Sequence, residues 1–216
     1  MIEFKGRKIP DTFREIICPE HTVVLVQDMQ NDFLSEHGLF RKQGIAEDAS
    51  RLFKPVSNFL EKSRAKGIRV IYSVFTNFAD NSSYNDPQIS RSKIGDLNPK
   101  EHPVVENTWG WEIIEEVHPK PGERIIQKHR NDTFIGTDLE IILRASGVKT
   151  IIHIGISIPN GILTSAWHAF NIGFFPVIPK DGAGAAIQHD ETEGWNLLKR
   201  CATITTTREI LNTWAL

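Results

Sequence analysis

The chain has 216 residues, long enough for one domain with a sizeable core, and its 40% hydrophobic and 24% charged content excludes a disordered or collagen-like chain. A formal net charge of −2 supplies no basic footprint for nucleic acid or an anionic membrane surface. No apolar run approaches the roughly 20 residues that a membrane-spanning helix needs.

Residues 1–20 alternate charges with single apolar residues and lack the apolar centre of a secretory signal. They are expected to form an N-terminal extension ahead of one domain over 21–216, in a cytoplasmic protein. The two cysteines, Cys18 and Cys201, stand in no metal-binding spacing and read as buried free thiols. Residues 22–27 form the first β-branched run. Residues 51–66 have helical period, with Leu52, Val56, Phe59 and Leu60 on one face, Pro55 near the start and Gly67 as the stop. A second strand is predicted over 68–74. Residues 76–122 are rich in Asn, Ser, Pro and charge, with short helices expected around 88–94 and 111–117. So long a connection reads as an excursion over the sheet edge that covers a site or a subunit contact, or as a variable surface loop.

Past Pro119 and Pro121 come strands at 124–127, 149–155 and 174–178, and a weaker one at 202–206. Helices at 137–146, 160–172 and 191–200 separate them, the first two stopping at Gly147 and Gly173. The first four strands read as buried on both faces. Strands alternating with helices define the α/β class, a parallel sheet with helices on both faces.

In such a sheet, ligands bind outside the carboxyl ends of the strands. Three tips carry chemistry. The first strand runs into Asp28, the third into Lys128, and the fourth into Gly155-Ile-Ser-Ile-Pro-Asn-Gly161, a turn that opens a helix and whose backbone from Ser157 to Gly161 can act as an amide nest for an oxyanion. Each alone has a plain reading: a turn residue, a solvated charge, turn-forming glycines. Together they form an active-site layout in which the lysine keeps the carboxylate ionised or shares its proton.

Residues 23–33, with Asp28, Gln30, Asn31, Asp32 and Phe33, resemble an apolar strand followed by D-x-Q-N-D-F. Lys128, Arg130, Phe134, Gly136, Thr137 and Leu139 resemble K-x-R-x-S-A-F-x-G-T-x-L, with Asp132 and Thr133 where Ser and Ala are usual. Residues 155–170 resemble G-x-x-T-x-x-C-V-x-x-T-A-x-x-A-F, and Thr108-Trp109-Gly110 resembles a short block before the third strand. These blocks resemble the isochorismatase-like hydrolases, or cysteine hydrolases, which include nicotinamidases, N-carbamoylsarcosine amidases, and ureidoacrylate and biuret hydrolases. The resemblance implies a three-layer, Rossmann-like, mostly six-stranded parallel sheet, a small-molecule substrate and a homo-oligomer, either dimer or tetramer.

Counted from Gly155, the family's nucleophilic cysteine falls on Gly161, which closes the acyl-enzyme route. Thr164 and Ser165 lie one helical turn further on, and Ser165 aligns with a structural threonine. The resemblance also supplies a precedent, since isochorismatases carry glycine here. Cleaving a vinyl ether needs a proton donor, Asp28, with Lys128 tuning its proton or binding a substrate anion. The turn differs from the isochorismatase G-V-Y-A-H-I-G at Ser157, Ile158 and Pro159, and Ile158 also departs from the amidase threonine. A cis peptide, frequent in the family, maps to Ile156-Ser157.

Phe33, Trp109, Trp111 and Phe134 are candidates to wall a pocket, His129 reads as a surface residue, and His153 as a core histidine. The Asp-x-His metal pattern of nicotinamidases is missing from 73–77, so neither metal nor cofactor is expected. The expected function is hydrolysis without a cysteine, by Asp28/Lys128 acid-base chemistry on a vinyl ether or, through water, on an amide or ureide. The alternative is an inactive binding or assembly subunit.

Overall fold

A computed structural model describes residues 1–92, 102–187 and 191–215. The chain opens with a hairpin of β1 (Ile2–Phe4) and β2 (Arg7–Ile9), turned through Lys5 and Gly6 at φ of 49° and 74°. The single-turn helix α1 (Phe13–Ile16) is capped reciprocally by Thr12 and Glu15. This segment is anchored to the domain: Ile17 is buried, and its carbonyl accepts from Trp214 Nε1 at 2.7 Å. Cys18 corrects the expectation of two buried thiols, because it is partly exposed and donates to Glu20 Oε2.

Beyond it run β3 (Thr22–Gln27), α2 (Asn31–Leu34), α3 (Leu39–Lys42), α4 (Phe53–Ala65), β4 (Arg69–Phe75), α5 (Asp86–Ser92), β5 (Arg124–Lys128), α6 (Leu139–Ala145), β6 (Thr150–Ile156), α7 (Leu163–Asn171), β7 (Phe175–Pro179), β8 (Ala183–Gly184), α8 (Thr192–Leu198), β9 (Thr203–Thr205) and α9 (Thr207–Ala215). The main sheet is parallel, in the order β5-β4-β3-β6-β7-β9, with the short β8 also paired to β6. Alternation along β3 explains the three layers. Val24 and Val26 face Val56, Phe59 and Leu60 of α4 and Ile210 and Trp214 of α9, whereas Val23 and Leu25 face Leu139 and Leu143 of α6 and Ala169 of α7.

The order fixes the site. The chain builds outward from β3 through β4 to β5, then crosses back to lay β6 on the other flank of β3, so a crevice opens at the tips of β3 and β6.

Three expectations need correction. β5 is not buried on both faces: as an edge strand it hides Ile126 and Lys128 and leaves Ile125 44% exposed. Residues 111–117 are not one helix, because Ile113 pairs with Gln30 in extended form and separates two 3-10 turns, Trp109–Trp111 and Glu115–Val117. The helix expected at 160–172 begins with a wider turn, Ile158–Ile162, before regular α7. The helix expected over 88–94 appears as α5, and residues 93 and 94 lie outside the described residues. Among the described residues no helix is long and apolar enough to cross a membrane.

Candidate active site

At the tip of β3 the backbone of Asp28 turns into the left-handed region, φ 55°, which Asp tolerates better than most residues. Asp28 N–H donates to the Ser73 carbonyl at 2.9 Å, and its carbonyl accepts from Gln30 N–H at 2.8 Å. The side chain is thereby held under the crevice, where Oδ2 accepts from Lys128 Nζ at 2.8 Å. Lys128 ends β5 fully buried, and its ammonium also donates to the carbonyls of Asn131 at 3.1 Å and Arg130 at 3.3 Å. All three ammonium hydrogens therefore have acceptors, and the Phe75 ring lies beneath at 4.9 Å. Asp28 is less well served: Oδ1 is buried with no partner among the described residues. Burial pushes its carboxyl above the usual range, against the opposing pull of Lys128.

Gly161 faces this pair. A Cβ placed on it would lie 3.1 Å from Asp28 Oδ2, 3.4 Å from the Asn131 carbonyl and 3.6 Å from Lys128 Nζ. The turn that carries it contains a cis Ile156-Ser157 peptide, and the Ser157 carbonyl accepts from both Asn160 and Ile162 N–H at 3.1 Å. Within 157–161, Pro159 has no N–H and the Asn160 N–H is spent inside the turn.

Asp28, Ser157 and Gly161 open onto a cavity of about 480 Å³, within the common range for small-molecule sites, and Lys128 lies buried behind Asp28. Its walls include Phe33, Phe40, Phe75, Tyr84 and Ile187, with Asn77, Asn131 and His102 as polar members. The 76–122 excursion thus supplies one wall of the pocket. Gln30, Asn31 and Asp32 attach it: Gln30 bonds both Phe75 backbone groups and the Trp111 carbonyl, Asn31 donates to the Trp109 carbonyl, and Asp32 accepts from Leu39 and Val104 N–H. Gly110 is required here, since a Cβ would fall 2.2 Å from the Asp32 carboxylate.

Three expected wall residues, Trp109, Phe134 and Trp111, lie elsewhere. Trp109 is 48% exposed over a separate groove beside Asp32, because its backbone is spent on Asn31. Phe134 is drawn into the core, where its ring contacts His168 and Phe174, by a bond from its N–H to Asp132 Oδ1. Trp111 donates from Nε1 to Thr76 Oγ1 at 2.8 Å and packs on the core. His129 is half-buried rather than on the surface, donating from Nδ1 to the Thr76 carbonyl at 2.7 Å and lying 4.5 Å from the Phe78 ring. Sequence reasoning missed Asn131, Tyr84 and His102. Asn131 acts through a carbonyl, which leaves no trace in residue identity.

Behind Gly161 lies a buried polar network. Gln27 Nε2 faces acceptors at Gly161 O, Thr133 Oγ1 and Ser165 Oγ, 3.2 to 3.3 Å away, leaving Gln27 Oε1 to accept from His153 Nδ1–H at 2.8 Å. Ser165 is held by Thr133, and Thr164 donates to the Asn160 carbonyl, so neither hydroxyl attends the Asp28/Lys128 pair. His153 sits in the core, and burial pushes its pKa down to about 3. The unfolded chain takes up this proton near pH 6.5 and the folded chain does not, so its contribution to stability is whole above pH 6.5 and is lost as pH falls toward 3. Urea unfolding at pH 7 and pH 4.5 is expected to show His153→Gln losing up to about 1.4 kcal/mol less per pH unit than the parent. Equal losses would place a charged histidine in the core.

A parallel α/β sheet with paired acid and amine at its switch point defines a small-molecule site of the doubly wound class. The Isochorismatase domain model matches residues 22–209, so the chain belongs to the isochorismatase family. It is similar to the ureidoacrylate amidohydrolase RutB of Agrobacterium fabrum, 27% identical over 174 residues that cover 76% of this chain and 75% of the relative. N-carbamoylsarcosine amidase of Arthrobacter is 32% identical over 147 residues, 66% of this chain and 52% of that one. An isochorismatase family protein from Desulfovibrio vulgaris superposes with a TM-score of 0.78 at 26% identity, covering 91% of this chain and all of the other. A cysteine hydrolase from Pseudomonas syringae gives 0.79 at 21% identity, covering 92% and 94%, which speaks for the fold.

Proposed function

We propose that the chain is a small-molecule hydrolase that cleaves the C–N bond of a compact amide or ureide without forming an acyl-enzyme. The observation that carries this reading is the space beside Gly161, bordered by Asp28, Lys128 and the Asn131 carbonyl where a side chain would otherwise stand. A water placed there gives its proton to ionised Asp28 as it adds to the substrate carbonyl. Lys128, with all three hydrogens engaged, holds the acid in position, and Asp28 returns the proton to the leaving nitrogen. The named amidohydrolases among its relatives support the bond type.

A second reading, protonation of a vinyl ether by Asp28, is favoured by the upward push of burial on that carboxyl. The test is turnover against ureides, amides, carbamates and isochorismate, with acid-quenched intact mass during turnover. Hydrolysis of a C–N substrate with no added acyl mass is expected. A trapped adduct would overturn the non-covalent route, and no turnover on the whole panel would favour an inactive binding subunit.

Gly161→Cys probes the same space. Its Cβ would lie 3.1 Å from Asp28 Oδ2, a base that can take the thiol proton, and 3.6 Å from the buried Lys128 ammonium, a cation that favours the thiolate. The natural thiols are pushed the other way, Cys18 by its bond to Glu20 and Cys201, by burial, up to about 11. Iodoacetamide at pH 7 is expected to label position 161 about tenfold or more faster than either, read by peptide mass. An inert thiol there would mean that the pair does not activate this point.

A further inference from the structure

Apolar side chains line much of the cavity, and the chemistry proposed at Asp28 and Gly161 leaves most of them unused. From the excursion come Tyr84 and His102, which bond each other at 3.1 Å and are tied down by Asn77 on the Pro103 carbonyl and Arg130 on the Ser83 carbonyl. A second group has a different character. Phe33 of α2 and Phe40 of α3 are half-buried, with their rings 4.9 Å apart and tilted by 51°. Ile45 and Ile187 also line the cavity, and at 37% and 39% exposure they mark its open edge.

The backbone under this edge is held in place. The Phe40 carbonyl accepts from Ile45 and Ala46 N–H at 3.1 and 3.2 Å, Ala46 pairs with Ile187 in an antiparallel bridge, and Glu47 N–H donates to the Ala186 carbonyl at 2.9 Å. Just before Ile187, β8 pairs with β6 at Gly155 and Ile156. The apolar edge is thus referenced to the same strand that enters the Ser157–Gly161 turn. Size argues in the same direction: a cavity of 480 Å³ matches the liquid share of about sixteen waters at roughly 30 Å³ each, whereas an amide or ureido group has only about four heavy atoms. Room remains for a substituent. A charged one laid on Phe33, Phe40, Ile45 and Ile187 would give up hydration for apolar neighbours, while an aliphatic one gains by covering them.

We propose that Phe33, Phe40, Ile45 and Ile187 form a subsite for an uncharged aliphatic substituent, so that the substrate is a carboxamide or N-substituted urea carrying a short alkyl chain. The choice of amide or urea rests on the function proposed above, whereas the alkyl end rests on these four side chains alone.

Titration of full-length Asp28→Asn protein, followed by NMR, reads affinity apart from turnover. The probes are N-alkylureas from methyl to pentyl, together with N-isobutylurea and N-carbamoylglycine, an acid of the same shape. Affinity is expected to rise about two- to fourfold for each added methylene, and N-isobutylurea to bind about tenfold or more tightly than the acid. Ile45→Asn and Ile187→Asn alter side chains already open to solvent, and each should flatten the rise with chain length. Affinity independent of chain length, equal or tighter binding of the acid, binding of no probe, or a rise that survives both asparagine variants would overturn the assignment. Should one variant fail to fold, the other decides. The active parent then separates the two readings. A rise in affinity without turnover of any alkylurea or matching alkyl carboxamide would overturn the hydrolase reading and leave this one standing; turnover with kcat/KM equal for all chain lengths and for the acid would do the reverse.

Discussion

Asp28→Asn is expected to lower turnover by about 10²–10⁴-fold while the protein stays folded, measured as kcat on the best substrate of the panel beside an unfolding curve. Asparagine is the right replacement for two reasons. It keeps a carbonyl oxygen to accept from Lys128 Nζ, and it tolerates the left-handed backbone at φ 55° that alanine would occupy under strain. What it removes is the ability to take or give a proton.

The pH profile of the parent then tells the two chemistries apart. Burial lifts the folded-state pKa of Asp28 above its ordinary value of 3.8. If Asp28 takes a proton from water, kcat/KM rises as pH climbs through that lifted value; if it donates to an enol carbon, kcat/KM falls there. For stability the sign is fixed either way. The folded state binds this proton more tightly than the unfolded one, so the contribution of Asp28 is most favourable below pH 4 and declines as pH rises through the lifted value. A variant that retains near-parental turnover would move the proton transfer to another group.

The layers of the fold were legible because their causes are local. Val23 to Val26 admit no polar residue, as a strand covered on both faces requires, and Gly67, Gly147 and Gly173 stop three helices at positive φ. The edge position of β5 was not legible, since Ile125 and Ile126 look alike until the sheet order exposes one of them. The meeting of Asp28 and Lys128 follows from strand tips, a property of topology that the sequence carries well. The far end of the pocket does not: His102 and Tyr84 lie in a stretch without period, and only the ties from Asn77 and Arg130 bring them to the cavity. Trp109 and Phe134 misled for the opposite reason. An aromatic near a motif looks like a wall, but Asp32 against Gly110 and Asp132 on the Phe134 N–H decide where those rings go.

Lys128→Met should carry the largest stability effect in the chain, a loss of about 3–5 kcal/mol in urea unfolding near neutral pH. The lysine is fully buried, and its removal strips the donor from Asp28 Oδ2 and from the Arg130 and Asn131 carbonyls at once. Asp28, already short of a partner at Oδ1, then keeps its proton to a higher pH, because the charge that opposes burial is gone. Adding Asp28→Asn to Lys128→Met removes the group left stranded, so the double variant should be less destabilised than the sum of the singles by more than about 1 kcal/mol. Simple additivity would mean that the two side chains are neighbours without being energetic partners. Activity separates tuning from binding. Lys128→Met should therefore shift the pH limb of kcat/KM toward alkaline values; a limb that stays in place while KM rises would overturn the tuning role and assign Lys128 to a substrate anion.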